Sequence, residues 1–110
     1  QLVGIGELNN ESTVVRSGYV PPAEVEPLRR KGAVGDILCQ FFDDNGDVLD
    51  LSLHQRVIGA RLESLNKSKN VIAAAGGDGK VRAIRAALKG KYVDILITDE
   101  KTAEKLLEEV

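Results

Sequence analysis

The chain has 110 residues, of which 43% are hydrophobic and 29% charged, and a formal net charge of −2. This composition is that of an ordinary globular protein, and the length allows one domain at most. No apolar run reaches the roughly 18 residues of a membrane-spanning helix, which excludes a span. The 15 basic residues are balanced by 17 acidic ones, so the chain lacks the basic surface of a nucleic-acid-binding domain.

The cysteine and histidine counts are equally restrictive. Cys39 and His54 are the only residues of their types, which excludes an internal disulfide and a Cys/His zinc site. We therefore expect no metal, no cofactor and a reducing, cytoplasmic location. The chain has no methionine and begins within an apolar-glycine alternation, so we expect a piece of a longer polypeptide.

The first half of the chain predicts strands around one helix. Residues 2–6 predict a buried strand, and residues 9–12 carry turn and capping chemistry. A helix is expected from Pro21-Pro22 to the basic residues before Gly32, because proline suits a helix start and glycine a helix end. Residues 33–42 predict a second strand. Asp43–Gly46 then predicts a hairpin turn that returns through residues 47–49, because Asn-Gly tolerates positive φ.

The second half predicts alternating strands and helices. Residues 57–59 form a short apolar run, and residues 62–65 predict one helical turn. Beyond them, residues 71–75 and 94–98 predict two buried strands. The intervening helix, Lys80–Leu88, places Val81, Ile84, Ala87 and Leu88 on one face, and Thr98-Asp99 caps a last helix. Continuously apolar strands alternating with helices predict an α/β fold with a parallel sheet covered on both faces and a right-handed crossover.

The glycine-rich loop after the first of these strands is a candidate binding site. Ligands of open parallel sheets bind at the carboxyl ends of the strands. Gly76, Gly77 and Gly79 would let the backbone approach a ligand, and Lys80 stands near a helix start, where a lysine is electrostatically unfavourable. The loop could hold an anionic or polyhydroxylated ligand, or it could be a tight turn with a solvated lysine. The Walker and dinucleotide-binding motifs are both incomplete here.

Other polar residues leave two interpretations open. Asp36 lies between Gly35 and an apolar strand, where burial is costly without a partner; its carboxylate could bind sugar hydroxyls or cap a local turn. Arg16 could contact an anion or lie on the surface, and Arg56 could face the cleft or form an internal ion pair. The spacing of acidic residues around Asp43 departs from a calcium loop and favours a hairpin turn.

Several segments, in order and nearly over the whole chain, resemble the effector domain of SorC/DeoR-type sugar-binding transcriptional regulators. They are residues 16–18, 31–37, 41–43 and 56–59, Ala75-Gly76-Gly77 with Lys80, and residues 93–100. The resemblance implies a Rossmann-like parallel sheet with flanking helices, akin to sugar-phosphate isomerases and CoA transferases, plus the hairpin around Asp43–Gly46.

The resemblance also implies a function and a set of binding residues. The expected ligand is a phosphorylated sugar or a related small phosphorylated metabolite, and no isomerase activity is expected. By position, Asp36 would bind ligand hydroxyls and Lys80 would contact the ligand. Gly76 and Gly77 would shape the wall of the pocket beside Lys80. Arg16 and Ser17 would lie close to the ligand, and Leu38 would make an apolar contact.

The resemblance covers only part of such a regulator. Residues 1–110 are expected to form a single, partial effector domain that has no helix-turn-helix and lacks the earlier half with its phosphate-binding loop. Operator DNA would be bound only through the parent's missing domain, the parent is expected to be a homo-oligomer, and part of the sheet could be left uncovered. The alternative is an enzyme, either a sugar-phosphate isomerase or a Schiff-base lyase that uses Lys80 and Asp36.

Overall fold

The computed structural model describes residues 2–51 and 70–108. The predictions for residues 57–59 and 62–65 lie outside the described residues. None of the helices in the described ranges is long and apolar enough to cross a membrane. In chain order, the helices and strands are β1 (Leu2–Val3), β2 (Gly6–Glu7), α1 (Thr13–Arg16), a 3₁₀ turn (Pro22–Glu24), α2 (Val25–Arg30), β3 (Gly35–Ile37), β4 (Gln40–Phe42), β5 (Ile72–Ala74), a second 3₁₀ turn (Asp78–Lys80), α3 (Val81–Lys89), β6 (Ile95–Ile97) and α4 (Glu100–Glu108).

The predicted parallel sheet is confirmed. Strand β5 lies between β1 and β6 and runs parallel to both. One face of this sheet is buried against α3, where Ala73 and Ile84 are each 0% exposed and share a core with Val3. The helical spacing correctly predicted the burial of Ile84 and Ala87, whereas Leu88, expected on the same face, is 39% exposed.

The opposite face of the parallel sheet carries exposed apolar side chains and is not covered by residues 2–51 or 70–108. Side chains alternate between the faces of a strand, so the face that does not carry Ala73 carries Leu2, Ile95 and Ile97, which are 71%, 48% and 57% exposed. The prediction of a sheet covered on both faces is therefore wrong for the described residues. For the same residues, the exposed Leu2, Ile95 and Ile97 agree with the expectation that part of the sheet could be left uncovered.

A second, antiparallel sheet corrects two strand predictions. The strand expected over residues 2–6 is divided, with β1 in the parallel sheet and β2 paired with β3. The strand expected over residues 33–42 folds back on itself as the β3–β4 hairpin, in which Ile37 pairs with Gln40. Leu38 and Cys39 form its two-residue turn with φ values of 54° and 62°, a left-handed conformation that neither residue type favours.

The helices and turns that were predicted from local sequence signals are present in the structure. The proline-initiated segment forms the first 3₁₀ turn and α2, and it ends before Gly32, whose φ is +101°. In the turn after β4, the Asp43 carboxylate accepts hydrogen bonds from two backbone N–H groups. Where the chain runs back after this turn, Val48 forms an isolated antiparallel β-bridge with Phe42. The Asp99 carboxylate accepts the Thr102 N–H at 2.8 Å and caps α4, as predicted.

We predict that two isoleucines of the parallel-sheet layer differ sharply in their contribution to stability. Ile84→Ala removes a side chain that is 0% exposed and should lower the free energy of unfolding by about 2–5 kcal/mol. Ile97→Ala removes one that is 57% exposed and should cost less than about 1 kcal/mol. Urea unfolding of the chain measures both. Equal losses would show that the face carrying Ile97 is covered.

Candidate functional site

A cleft of about 390 Å³ lies where the two sheets meet. Its walls come from the segment that leaves the carboxyl end of β1, the start of α1, the β3–β4 hairpin and the turn before α3. This position agrees with the rule that ligands of parallel sheets bind beyond the carboxyl ends of the strands. The lining residues are Gly4, Ile5, Gly6, Glu7, Glu11, Ser12, Thr13, Val14, Asp36, Leu38, Cys39 and Lys80.

Asp36 is the buried ionisable group of this cleft. It lies in β3 opposite Gly6 and is only 7% exposed. Burial raises the pKa of its carboxyl from 3.8 to about 6, although a hydrogen bond from the Cys39 backbone and the positive charge of Lys80 act in the opposite direction. Its Oδ1 atom is buried and accepts no hydrogen bond from residues 2–51 or 70–108. An unpaired buried oxygen costs free energy, and a ligand that donates a hydrogen bond to it would remove that cost.

The left-handed turn at Leu38-Cys39 forms the wall next to this carboxyl. The turn brings the Cys39 backbone within hydrogen-bonding reach of Asp36 and leaves Leu38 36% exposed in the cleft. Burial and the nearby Asp36 charge raise the pKa of the Cys39 thiol. A thiol with a raised pKa is a poor nucleophile, so Cys39 serves the site through its backbone.

Lys80 supplies the positive charge. It is half-buried at the end of the second 3₁₀ turn, immediately before α3, and its backbone N–H donates to Gly77 at 3.1 Å. Its ammonium lies close enough to Asp36 to lower the pKa of that carboxyl. The cleft therefore combines a cation with a hydrogen-bond acceptor, a pair suited to an anionic or polyhydroxylated molecule.

Glu7, Glu11, Ser12 and Thr13 also line the cleft, and sequence reasoning did not select them. Ser12 is buried and its hydroxyl donates to the Asn9 carbonyl at 2.7 Å, which positions the start of α1. The carboxyl-end rule that singled out the loop after β5 applies equally to β1. Applied to β1, it points to the segment from Gly4 onward.

The remaining predicted residues lie outside the lining of the cleft. A side chain at Gly76 would meet the Asp99 carboxylate, and Gly77, at φ +111°, donates its N–H to the Thr102 hydroxyl at 2.9 Å. Arg16 and Ser17 are exposed at the end of α1. The structure thus brings Asp36, Leu38 and Lys80 together, but not Gly76, Gly77, Arg16 and Ser17. Arg56 and His54 lie outside the described residues.

An α/β fold with a cleft at the junction of two sheets, in which a few polar groups lie among apolar surface, defines a small-molecule-binding domain. The chain matches the family model "Putative sugar-binding domain" over residues 1–108. It belongs to this family, whose curated and solved members described below are transcriptional regulators.

The curated relatives are considerably longer than this chain. It is 41% identical over 109 residues to the transcriptional regulator LsrR of Enterobacter sp. (strain 638), covering 96% of this chain and 34% of that protein. It is 42% identical over 107 residues to the erythritol catabolism regulatory protein EryD of Brucella abortus (strain 2308), covering 97% of this chain and 34% of that protein. The chain thus spans 34% of the length of both relatives.

Solved structures confirm the fold and the resemblance to SorC and DeoR regulators. A DeoR family transcriptional regulator from Listeria monocytogenes matches with a TM-score of 0.90 at 34% identity, over 96% of this chain and 42% of that one. The full-length sorbitol operon regulator SorC from Klebsiella pneumoniae matches with a TM-score of 0.83 at 30% identity, over 96% and 34%.

We predict that Asp36 makes the stability of the chain depend on pH. Because folding raises the pKa of this carboxyl from 3.8 to about 6, the folded state is favoured while the group is protonated. That advantage is lost as the pH rises from about 4 to about 6. Asp36→Asn removes the ionisation, so its stability relative to the unmodified chain should be higher at pH 7.5 than at pH 4 by up to about 3 kcal/mol.

Urea unfolding at the two pH values measures this difference. Asp50→Asn, at an exposed position, is the matched control and should show little change between them. A difference for Asp36→Asn no larger than that of the control would contradict the burial of an ionisable carboxyl in the cleft.

Proposed function

We propose that this chain is the effector-sensing part of a bacterial transcriptional regulator of carbohydrate metabolism, and that it binds a phosphorylated sugar or a related phosphorylated metabolite in the cleft. The observation that carries the proposal is the buried Oδ1 of Asp36, which has no hydrogen-bond partner in the described part of the chain, in a cleft shared with Lys80. The names of two relatives, which refer to erythritol catabolism and to a sorbitol operon, support a carbohydrate-derived effector.

Each cleft residue has a separate role in this proposal. Ionised Asp36 accepts hydrogen bonds from ligand hydroxyls, and Lys80 contacts a ligand oxygen or phosphate as a point charge. Leu38 contacts the carbon skeleton. Gly76 and Gly77 contribute indirectly, because they form the turn that leads to Lys80, whereas Arg16 and Ser17 do not line the cleft and are left out of the proposed set.

The effector would act on a larger protein. The relatives that are transcriptional regulators are each covered only to 34% by this chain, so operator DNA would be bound by another domain of the full-length protein in the cytoplasm. We expect a homo-oligomer in which the effector shifts the balance between states of different operator affinity. Such a shift requires that the effector binds those states with different affinities.

The enzyme alternative would use Lys80 as a Schiff-base nucleophile and Asp36 as a base. Two of the carboxylates expected near Lys80 are engaged elsewhere, because Asp78 pairs with Lys105 at 2.8 Å and Asp99 caps α4 through Thr102. The cleft also contains the carboxylates of Glu7 and Glu11. The observation that favours binding without turnover is that the relatives are named as regulators.

We predict that Asp36→Ala and Lys80→Ala in the full-length protein each weaken effector binding without unfolding it. Loss of a hydrogen bond to a charged group costs about 2 kcal/mol, which corresponds to roughly a 30-fold lower affinity. The probes are ribose 5-phosphate, glucosamine 6-phosphate, erythritol 4-phosphate and sorbitol 6-phosphate, titrated calorimetrically after a thermal-shift screen. Asp50→Ala and Lys101→Ala, at exposed positions, are the controls.

Unchanged affinity in both cleft variants would disprove the assignment of the site. Failure of every probe to bind or to raise the melting temperature would count against a sugar-phosphate effector. Incubating the protein with each probe and measuring the amount consumed separates the two functions, because turnover would establish the enzyme alternative.

A further inference from the structure

Gly6 and Asp36 are direct partners across the β2–β3 pair, on the same face of the sheet. A Cβ atom added to Gly6 would overlap the Asp36 Oδ1 and would lie 3.2 Å from Cγ and 3.7 Å from Oδ2. The Asp36 carboxyl therefore occupies the space that a side chain at position 6 would fill. Any other residue type there would push the carboxyl out of its place.

We propose that Gly6 is a positioning residue for effector binding, whose missing side chain lets the Asp36 carboxyl lie in the buried wall of the cleft. The proposal rests on the function proposed above, because it assumes that Asp36 in this place is what the ligand meets. Gly6 itself contacts the ligand through no side chain and acts through its cross-strand neighbour.

Comparison with two nearby glycines separates this role from ordinary packing. A Cβ at Gly35 would meet the Gly6 carbonyl at 2.5 Å and the Ala83 Cβ at 2.6 Å, so a side chain there would displace backbone and core. A Cβ at Gly4, in the same cleft, would meet no atom within 4 Å. At Gly6 the obstacle is the end of a flexible side chain, which can rotate away while the backbone stays in place.

Rotation would change the surroundings of the Asp36 carboxyl. In its present place the carboxyl is buried and accepts a hydrogen bond from the Cys39 backbone. Among the described residues, the other ionisable groups that line the cleft are the Cys39 thiol, the Lys80 ammonium and the carboxylates of Glu7 and Glu11. Moved away from β2, the carboxyl would gain solvent, and its pKa would fall towards the ordinary value.

The test compares Gly6→Ala with Lys101→Ala, at an exposed position outside the cleft lining, in the full-length protein, using whichever of the four sugar phosphates binds the unmodified protein. We expect Gly6→Ala to lower affinity by at least about tenfold and Lys101→Ala to stay within about threefold, with both melting close to the unmodified protein. Affinity equal to that of the unmodified protein in Gly6→Ala would overturn the proposal.

A measurement that needs no ligand distinguishes failure of the positioning role of Gly6 from failure of the proposed function. The pH-dependent stability difference between Asp and Asn at position 36 should shrink or disappear in the Gly6→Ala background, because the carboxyl is no longer buried. If no sugar phosphate binds but the difference disappears, the positioning of Asp36 by Gly6 stands and the proposed function fails. A difference that persists in full overturns the positioning role.

A third variant covers the case in which Gly6→Ala does not fold. Asp36→Ala removes the carboxyl that the new methyl group would meet, so the double variant Gly6→Ala/Asp36→Ala should recover the melting temperature of Asp36→Ala alone. A double variant that remains unfolded would show that Gly6 is needed for packing and would overturn the proposal.

Discussion

Burial of the Asp36 carboxyl is the constraint on which the cleft depends. The group is only 7% exposed, and one of its oxygens has no hydrogen-bond partner among the residues that the structure describes. Desolvation opposes the burial of the ionised group, and the Cys39 backbone and the charge of Lys80 offset part of that cost. Such an arrangement costs stability in the unliganded protein. A domain that retains it gains a polar group already oriented for a ligand.

Three different segments converge on this carboxyl, and none of them could form the cleft alone. The chain leaves the parallel sheet at Gly4 and enters the antiparallel sheet at Gly6, with buried Ile5 between them. The β3–β4 hairpin brings Asp36 next to that crossing, and the turn after β5 brings Lys80 from the other sheet. A ligand held by both side chains would connect the two sheets, so its binding energy would depend on how they are arranged.

The sequence predicted the elements whose causes are local. Proline at a helix start, Asp99 as a cap and Asn-Gly in a hairpin turn each act within a few residues. The turn at Leu38-Cys39 could not be predicted, because neither residue favours a positive φ and only the surrounding sheet imposes it. Likewise, the apolar sequence of β6 predicted a buried strand. The sequence pattern does not show whether other residues of this chain pack over Ile95 and Ile97, and both side chains are exposed.

The sequence predicted the kind of chemistry at the candidate site, but only some of the residues that line it. An aspartate in an apolar strand and a lysine at a helix start both contradict local preference, and both line the cleft. Gly76 and Gly77 were also predicted to shape the site, but the structure gives each a role within the chain. Gly76 lies close to the Asp99 carboxylate, and Gly77 has a positive φ. Glycine marks a place where something comes close, and the sequence does not say what. At Gly6, which no motif singled out, what comes close is the carboxyl of Asp36.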